Sequence, residues 1–226
     1  MPGTMVDFPA NGRTASGYLA TPAGGKGPGL ILIQEYWGLV DHIKRVADRF
    51  ASAGFVTLAP DLYHGKTTKS PDEAGKLLMA LNIAEAAKDM RGAADFLLQH
   101  DAVTSKRVGI LGFCMGGQLA LYAGTEYPDR FAAVVDFYGI HPKAQIDPAK
   151  LRVPVLAHFA KRDTHTAESD ARAFVQRVQG AEKEIEAHFY DADHAFFNDT
   201  RPEAYDRESA ERAWERTLEF LREHVR

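Results

Sequence analysis

Short, unbroken apolar runs alternate with helix-period segments along most of the chain. Segments 30–33, 55–59, 107–112, 131–138, 153–159 and 185–190 read as strands, and helical patterns fill 40–53, 71–100, 115–125, 167–179 and 203–225. In 40–53, the residues Val40, Ile43, Val46, Ala47, Phe50 and Ala51 fall on one helical face, and Gly54 marks the stop. Strands separated by helices pair in parallel, because a parallel neighbour is reached only through a crossover. Continuous apolar runs, rather than alternating ones, mark strands buried on both faces. Two earlier segments, 5–8 and 16–21, have no helix between them and are expected to form an antiparallel edge. The expected architecture is α/β, a mostly parallel central sheet with helices on both faces. In such a sheet ligands bind at the carboxyl ends of the strands.

Composition narrows the function classes. With 226 residues, 45% of them hydrophobic and 26% charged, the chain is expected to form a single domain, 1–226, with one sizeable core. Net charge is −4 and no basic stripe is present, so nucleic acid is not an expected partner. No apolar run approaches the roughly 18 residues of a membrane span. The first eight residues lack the cationic and apolar parts of a signal peptide. One cysteine permits no internal disulfide and no thiolate-rich zinc site. A cytoplasmic protein, monomer or homodimer, with no metal and no organic cofactor is the expectation.

That one cysteine sits in Gly112-Phe113-Cys114-Met115-Gly116-Gly117, directly after a strand and at the start of a helix. Gly-x-Cys-x-Gly is the thiol form of the nucleophile elbow of α/β-hydrolase folds. The sharp strand-to-helix turn holds the nucleophile in a strained conformation, and the glycines let neighbouring backbone pass close by. The sulfur then lies at a helix N-terminus, which favours negative charge. In another setting a lone cysteine is an inert core residue; the flanking glycines argue otherwise here.

An elbow requires an acid and then a histidine, each after a later strand. Among the acids, Asp136 lies inside an apolar run, and Asp191 and Asp193 compete at the last strand. Asp163 follows the 153–159 strand by a short turn and precedes a helix, as the order requires. Among the bases, His158 and His188 lie within strands, and His224 is near the chain end. His165 follows Asp163 too closely, and His141 precedes it. His194, between the last strand and the last helix, fits. The expected roles are Cys114 as nucleophile, His194 as base and Asp163 as its orienting acid. Backbone N–H groups of Met115 and Tyr36 are the expected oxyanion hole.

Taken together, Ile33-Gln-Glu-Tyr-Trp-Gly38, Ala59-Pro-Asp-Leu-Tyr63, Gly112-Phe-Cys-Met-Gly-Gly117, Asp163 and His194-Ala-Phe-Phe197 resemble the dienelactone hydrolase (carboxymethylenebutenolidase) family. The resemblance spans most of the chain and implies hydrolysis of a lactone or small carboxylic ester. It also implies that Glu35 lies beside the thiol and controls its ionisation. One departure concerns the arginines with which that family holds a substrate carboxylate. Asn198 stands four residues after His194, where one is expected, and no arginine occurs between Phe50 and Arg91. Lysine does not replace arginine in bidentate carboxylate capture. The small-molecule pocket is expected to include Trp37, Tyr63, Tyr138 and Phe197. Two other readings remain at this stage: a non-catalytic or thiol redox-sensing protein on the same scaffold, and a thioesterase or peptidase of the same fold. The short cap predicted over 71–82 favours a small pocket over a peptide groove.

Overall fold

The computed structural model describes residues 2–139 and 144–226; His141 lies outside them. The strands are β1 (Thr4–Ala10), β2 (Arg13–Ala20), β3 (Gly29–Ile33), β4 (Val56–Pro60), β5 (Val108–Phe113), β6 (Phe131–Phe137), β7 (Val155–Ala160) and β8 (Ile185–Tyr190). Among the described residues they form one sheet in the order β1-β2-β4-β3-β5-β6-β7-β8. The antiparallel edge is present: β1 pairs antiparallel with β2, and β2 with β4. From β4 onward every pairing is parallel.

Helices α1 (Asp41–Ser52), α2 (Pro71–Ala80), α3 (Ile83–Gln99), α4 (Met115–Glu126), α5 (Glu168–Gly180) and α6 (Arg207–His224) complete the fold. Alternate residues of β3 show why its run is continuous. Ile31 and Ile33 join the core beneath α3 and α4, with Met90, Leu97 and Leu119. Leu30 and Leu32 join the opposite core beneath α1 and α6, with Phe50, Phe55 and Leu221. Each such side chain is worth about 1.5–3 kcal/mol relative to exposure, so both faces must be covered.

Two helical boundaries differ from the sequence reading. The predicted helix over 71–100 is two helices. Leu81 and Asn82 are extended, and the Asn82 side chain accepts the Glu85 N–H at 3.2 Å, capping a new helix. The apolar cluster around Leu77 and Leu81 had concealed this Asn-x-x-Glu start. The last helix begins at Arg207 rather than near 203, because Asp206 caps it through the Ser209 N–H at 2.8 Å.

The parallel order has a direct consequence for function. β3, β5, β6, β7 and β8 are consecutive neighbours in the sheet. Their carboxyl ends therefore bring Glu35, Cys114, Tyr138, Asp163 and His194 to one rim.

One buried histidine belongs to the scaffold. His158 on β7 is fully buried; its Nδ1 meets the Tyr190 hydroxyl at 2.9 Å and its Nε2 meets Thr217 Oγ1 at 3.0 Å. Burial, reinforced by His188 and Arg216, holds its pKa well below the ordinary 6.5. The unfolded chain then takes up a proton below pH 6.5 that the folded chain refuses, so stability falls with acidity. The limiting slope for one proton is about 1.4 kcal/mol per pH unit. Urea unfolding of wild type and His158→Gln between pH 7 and pH 5 is expected to give a steeper loss for wild type. Equal slopes would remove His158 from this account.

Candidate active site

Cys114 stands between β5 and α4 with φ 56° and ψ −124°. For a residue with a side chain this conformation costs on the order of 1–3 kcal/mol. It is held by two backbone hydrogen bonds: the Cys114 N–H donates to Phe137 O at 2.9 Å, and the Gly117 N–H donates to Cys114 O at 3.0 Å. The glycines have physical reasons. A Cβ at Gly112 would stand 2.1 Å from Gly116 O, and one at Gly116 would stand 2.5 Å from Gln34 O. These contacts press the first turn of α4 against the end of β3, bringing Glu35 and Tyr36 to the nucleophile.

His194 and Asp163 meet across the ends of β8 and β7. His194 Nδ1 lies 2.7 Å from Asp163 Oδ2. The other oxygen, Oδ1, accepts the N–H groups of His165 at 2.7 Å and Thr166 at 2.9 Å. Burial alone would raise the Asp163 carboxyl. The hydrogen bond and charge of His194, with the two N–H donors, outweigh it and hold the pKa below its ordinary value. His194 is also within hydrogen-bond reach of the Cys114 sulfur. Burial pulls the imidazole down, but its bonds to Asp163 and Cys114, with their charges, push it up to about 10. His194 therefore stands between the Asp163 carboxylate and the Cys114 sulfur.

Glu35 is buried, at 2% exposure, and Asn198 Nδ2 donates to its Oε2 at 2.8 Å. The amide's orientation is fixed from behind: Asn198 Oδ1 accepts from the Thr200 N–H at 3.0 Å and its hydroxyl at 2.6 Å. Burial raises the Glu35 pKa, and His194, Asn198 and Arg201 offset this only in part.

Cys114 and His194 open into a cavity of about 260 Å³ whose lining also includes Glu35, Tyr36, Trp37, Leu78 and Arg201. Met115 is the first residue of α4, so its N–H has no intrahelical acceptor. Tyr36 enters the lining directly after Glu35. Trp37 is where the sequence placed it. Three other aromatic residues are not in the lining, because they fill the core beneath it. Tyr63 is buried and its hydroxyl donates to Met115 Sδ at 3.1 Å. The Tyr138 ring packs at 5.0 Å from His194, and Phe197 stacks on Phe113 at 5.2 Å. The rejected acids are also accounted for. Asp136 is fully buried and accepts the Gly139 N–H, while Asp191 and Asp193 pair with Arg162 at the surface.

The sequence reading missed Arg201, Leu78 and His165 in the lining. His165 follows Asp163 too closely to serve as the base, yet it lines the cavity. Leu78 belongs to the cap helix already predicted, but nothing local told its inward face. Arg201 lies beyond the position where an arginine was sought. Among the described residues, no cluster of three or more His, Cys, Asp or Glu side chains is arranged to hold a metal ion. None of the described helices is long and apolar enough to cross a membrane.

Fold and elbow together define an α/β hydrolase. The comparisons are specific beyond that class. The model of the dienelactone hydrolase family matches residues 15–225. Protein usf of Aquifex pyrophilus is 36% identical over 230 residues, covering 99% of each chain. The carboxymethylenebutenolidase of Pseudomonas sp. (strain P51) is 31% identical over 230 residues, covering 97% of this chain and 94% of that one. A solved Klebsiella pneumoniae chain superimposes with a TM-score of 0.89 at 26% identity, covering 98% of both. A dienelactone hydrolase-like promiscuous phosphotriesterase from metagenomic libraries shares the fold, with a TM-score of 0.88 at 22% identity, covering 99% of this chain and 98% of that one. The chain belongs to the dienelactone hydrolase family.

The glycine contacts carry a prediction. Gly112→Ala forces a methyl group into the Gly116 carbonyl, a backbone atom that moves only with the elbow. A loss of about 1–3 kcal/mol or more in urea unfolding is expected. Unchanged stability would show that the elbow is less tightly built.

Proposed function

We propose that this chain hydrolyses a lactone or small carboxylic ester through a Cys114–His194–Asp163 relay and an acyl-enzyme. The observation that carries the reading is the position of His194, which bonds Asp163 on one side and reaches the Cys114 sulfur on the other. Membership of the dienelactone hydrolase family and the small cavity at the sulfur support it.

The steps follow from these atoms. His194 takes the thiol proton, and the thiolate attacks the substrate carbonyl carbon. The N–H groups of Met115 and Tyr36 stabilise the negative oxygen. The carbonyl re-forms, the C–O bond to the leaving oxygen breaks, and His194 gives that oxygen its proton. In a lactone the leaving alcohol stays tethered to the acyl group. His194 then removes a proton from water, which attacks the thioester. Collapse of this second adduct returns the carboxylic acid and the thiol. Asp163 keeps the imidazole in the needed orientation and stabilises its cation. Glu35 acts on the sulfur by charge: an ionised Glu35 opposes the thiolate, and a protonated one does not.

Hydrolysis of a small activated ester is expected for wild type and lost in Cys114→Ala and His194→Gln, with both variants folded by circular dichroism. Full turnover in both variants overturns the reading. Peroxide-sensitive thiol chemistry in wild type without ester turnover would favour a redox role instead. The histidine supplies a pH test. Asp163 raises the His194 pKa, so its removal lowers it. In Asp163→Asn the alkaline limb of the kcat/KM profile is expected to move to lower pH, with kcat falling by on the order of 10⁴ as in related triads. For Glu35, alkylation by iodoacetamide reads the thiolate directly. Glu35→Gln removes a carboxylate that opposes the thiolate, so alkylation at neutral pH is expected to speed up; an unchanged rate would detach Glu35 from the thiol.

A further inference from the structure

The residue that holds Glu35 lies outside the relay and does not line the catalytic cavity. Asn198 is 2% exposed, and both its backbone and its side chain are tied down. Its N–H donates to Ala195 O at 2.9 Å, and its carbonyl accepts the Arg201 N–H at 3.1 Å. Its Oδ1 accepts both the N–H and the hydroxyl of Thr200. The Thr200 N–H decides which end of the amide is which, because a backbone N–H donates and cannot accept. Nδ2 therefore faces Glu35 and donates to its Oε2 at 2.8 Å.

The charge on Glu35 is a balance among its neighbours. His194, after β8, and Arg201, in the loop beyond, favour the carboxylate. Tyr36 beside it and Tyr138 after β6 lie within electrostatic reach, and Cys114 shares its cavity. The two cations have other partners: His194 bonds Asp163, and Arg201 bonds Glu203 at 2.8 Å. Burial opposes the carboxylate, and the Asn198 amide works against burial by direct contact. A cation in that place would hold Glu35 ionised, and a side chain with no donor would leave burial unopposed at that oxygen. A neutral amide does neither.

We propose that Asn198, anchored by Thr200, is a positioning residue that sets the pH at which Glu35 changes charge, and through Glu35 the ionisation of the Cys114 thiol. The proposal rests on the reading of Glu35 as the group that acts on the sulfur. It assigns the control to a neutral amide outside the cavity lining. The donor favours the ionised carboxylate, so Glu35 loses its proton at lower pH than burial alone would dictate.

Cys114 is the one cysteine of the chain, so iodoacetamide reads its thiolate alone. Alkylation is followed across the acid and neutral range in wild type, Asn198→Leu, Thr200→Val, Glu35→Gln and the Asn198→Leu/Glu35→Gln double variant. Leucine keeps much of the volume of the amide and removes its donor. The inflection that Glu35 imposes on the alkylation profile is expected to move to higher pH in Asn198→Leu. Between the two inflections alkylation is expected to be faster than in wild type by about two- to tenfold, as for coupled residues of one hydrogen-bond network. Thr200→Val removes one of the two bonds that orient the amide and is expected to move the profile the same way by less. Thr200 is exposed, so this variant tests the proposal even if Asn198→Leu fails to fold. With Glu35→Gln already present, Asn198→Leu is expected to change nothing further. Carbon-13 NMR of the glutamate carboxyls, with Glu35 identified by its absence in Glu35→Gln, is expected to show Glu35 titrating at higher pH in Asn198→Leu.

Superimposable alkylation and carboxyl titrations in wild type, Asn198→Leu and Thr200→Val, with Glu35→Gln still faster, overturn the role of Asn198 and leave that of Glu35 standing. Equal acceleration by Asn198→Leu with and without Glu35 is a structural effect and overturns it too. If Glu35→Gln alkylates as wild type does, the reading of Glu35 fails and the proposal falls with it. None of these outcomes depends on ester turnover, so the hydrolase reading is tested separately.

Discussion

The site depends on one close approach of backbone to backbone. The first turn of α4 lies so near the end of β3 that a Cβ at Gly116 would stand 2.5 Å from Gln34 O. The same turn folds back on its own strand, where Gly112 has no room for a side chain beneath Gly116 O. With Cys114 held at φ 56°, the sulfur is presented to the rim rather than buried in the core. Glu35 and Tyr36 come beside it because they continue β3, the strand that α4 touches. A longer separation would leave the thiol without its neighbours from β3.

Around this contact the structure places charges in graded environments. Asp163 keeps a low pKa because His194 and two backbone N–H groups compensate its burial. Glu35 has a neutral amide as its hydrogen-bond donor, so burial wins and its pKa rises. Two carboxylates of one site thus differ in their hold on a proton. His194 stands between an acid and a sulfur, both of which favour its cation. Beneath them an aromatic core of Phe113, Phe137, Tyr138 and Phe197 fixes the rim in place.

Much of this was legible along the chain. The strand-helix alternation gave the parallel sheet, because periodicity reports which faces are buried. The elbow was legible in Gly112, Cys114 and Gly116, because a strained turn admits few residue types. Asp163 and His194 followed from their order after strands. The break at Leu81 and Asn82 was hidden by an apolar cluster that continues across it. Tyr63, Tyr138 and Phe197 were read as lining because each follows or ends a strand, yet strand position does not tell whether a ring turns toward the cavity or the core.

The sequence by itself determined the type of sheet, the turn that holds the sulfur and the residues that accompany it. Those features are written in local patterns: periodicity, glycine spacing and chain order. Tertiary structure alone decided what surrounds them. Asn198 could be recognised as an absent arginine, but only folding put its amide on Glu35 with Thr200 fixing its direction. Arg201 came to the pocket wall through the loop between β8 and α6. These neighbours are far apart in the chain. Their meeting is set by strand order and packing, which local residue preferences do not encode.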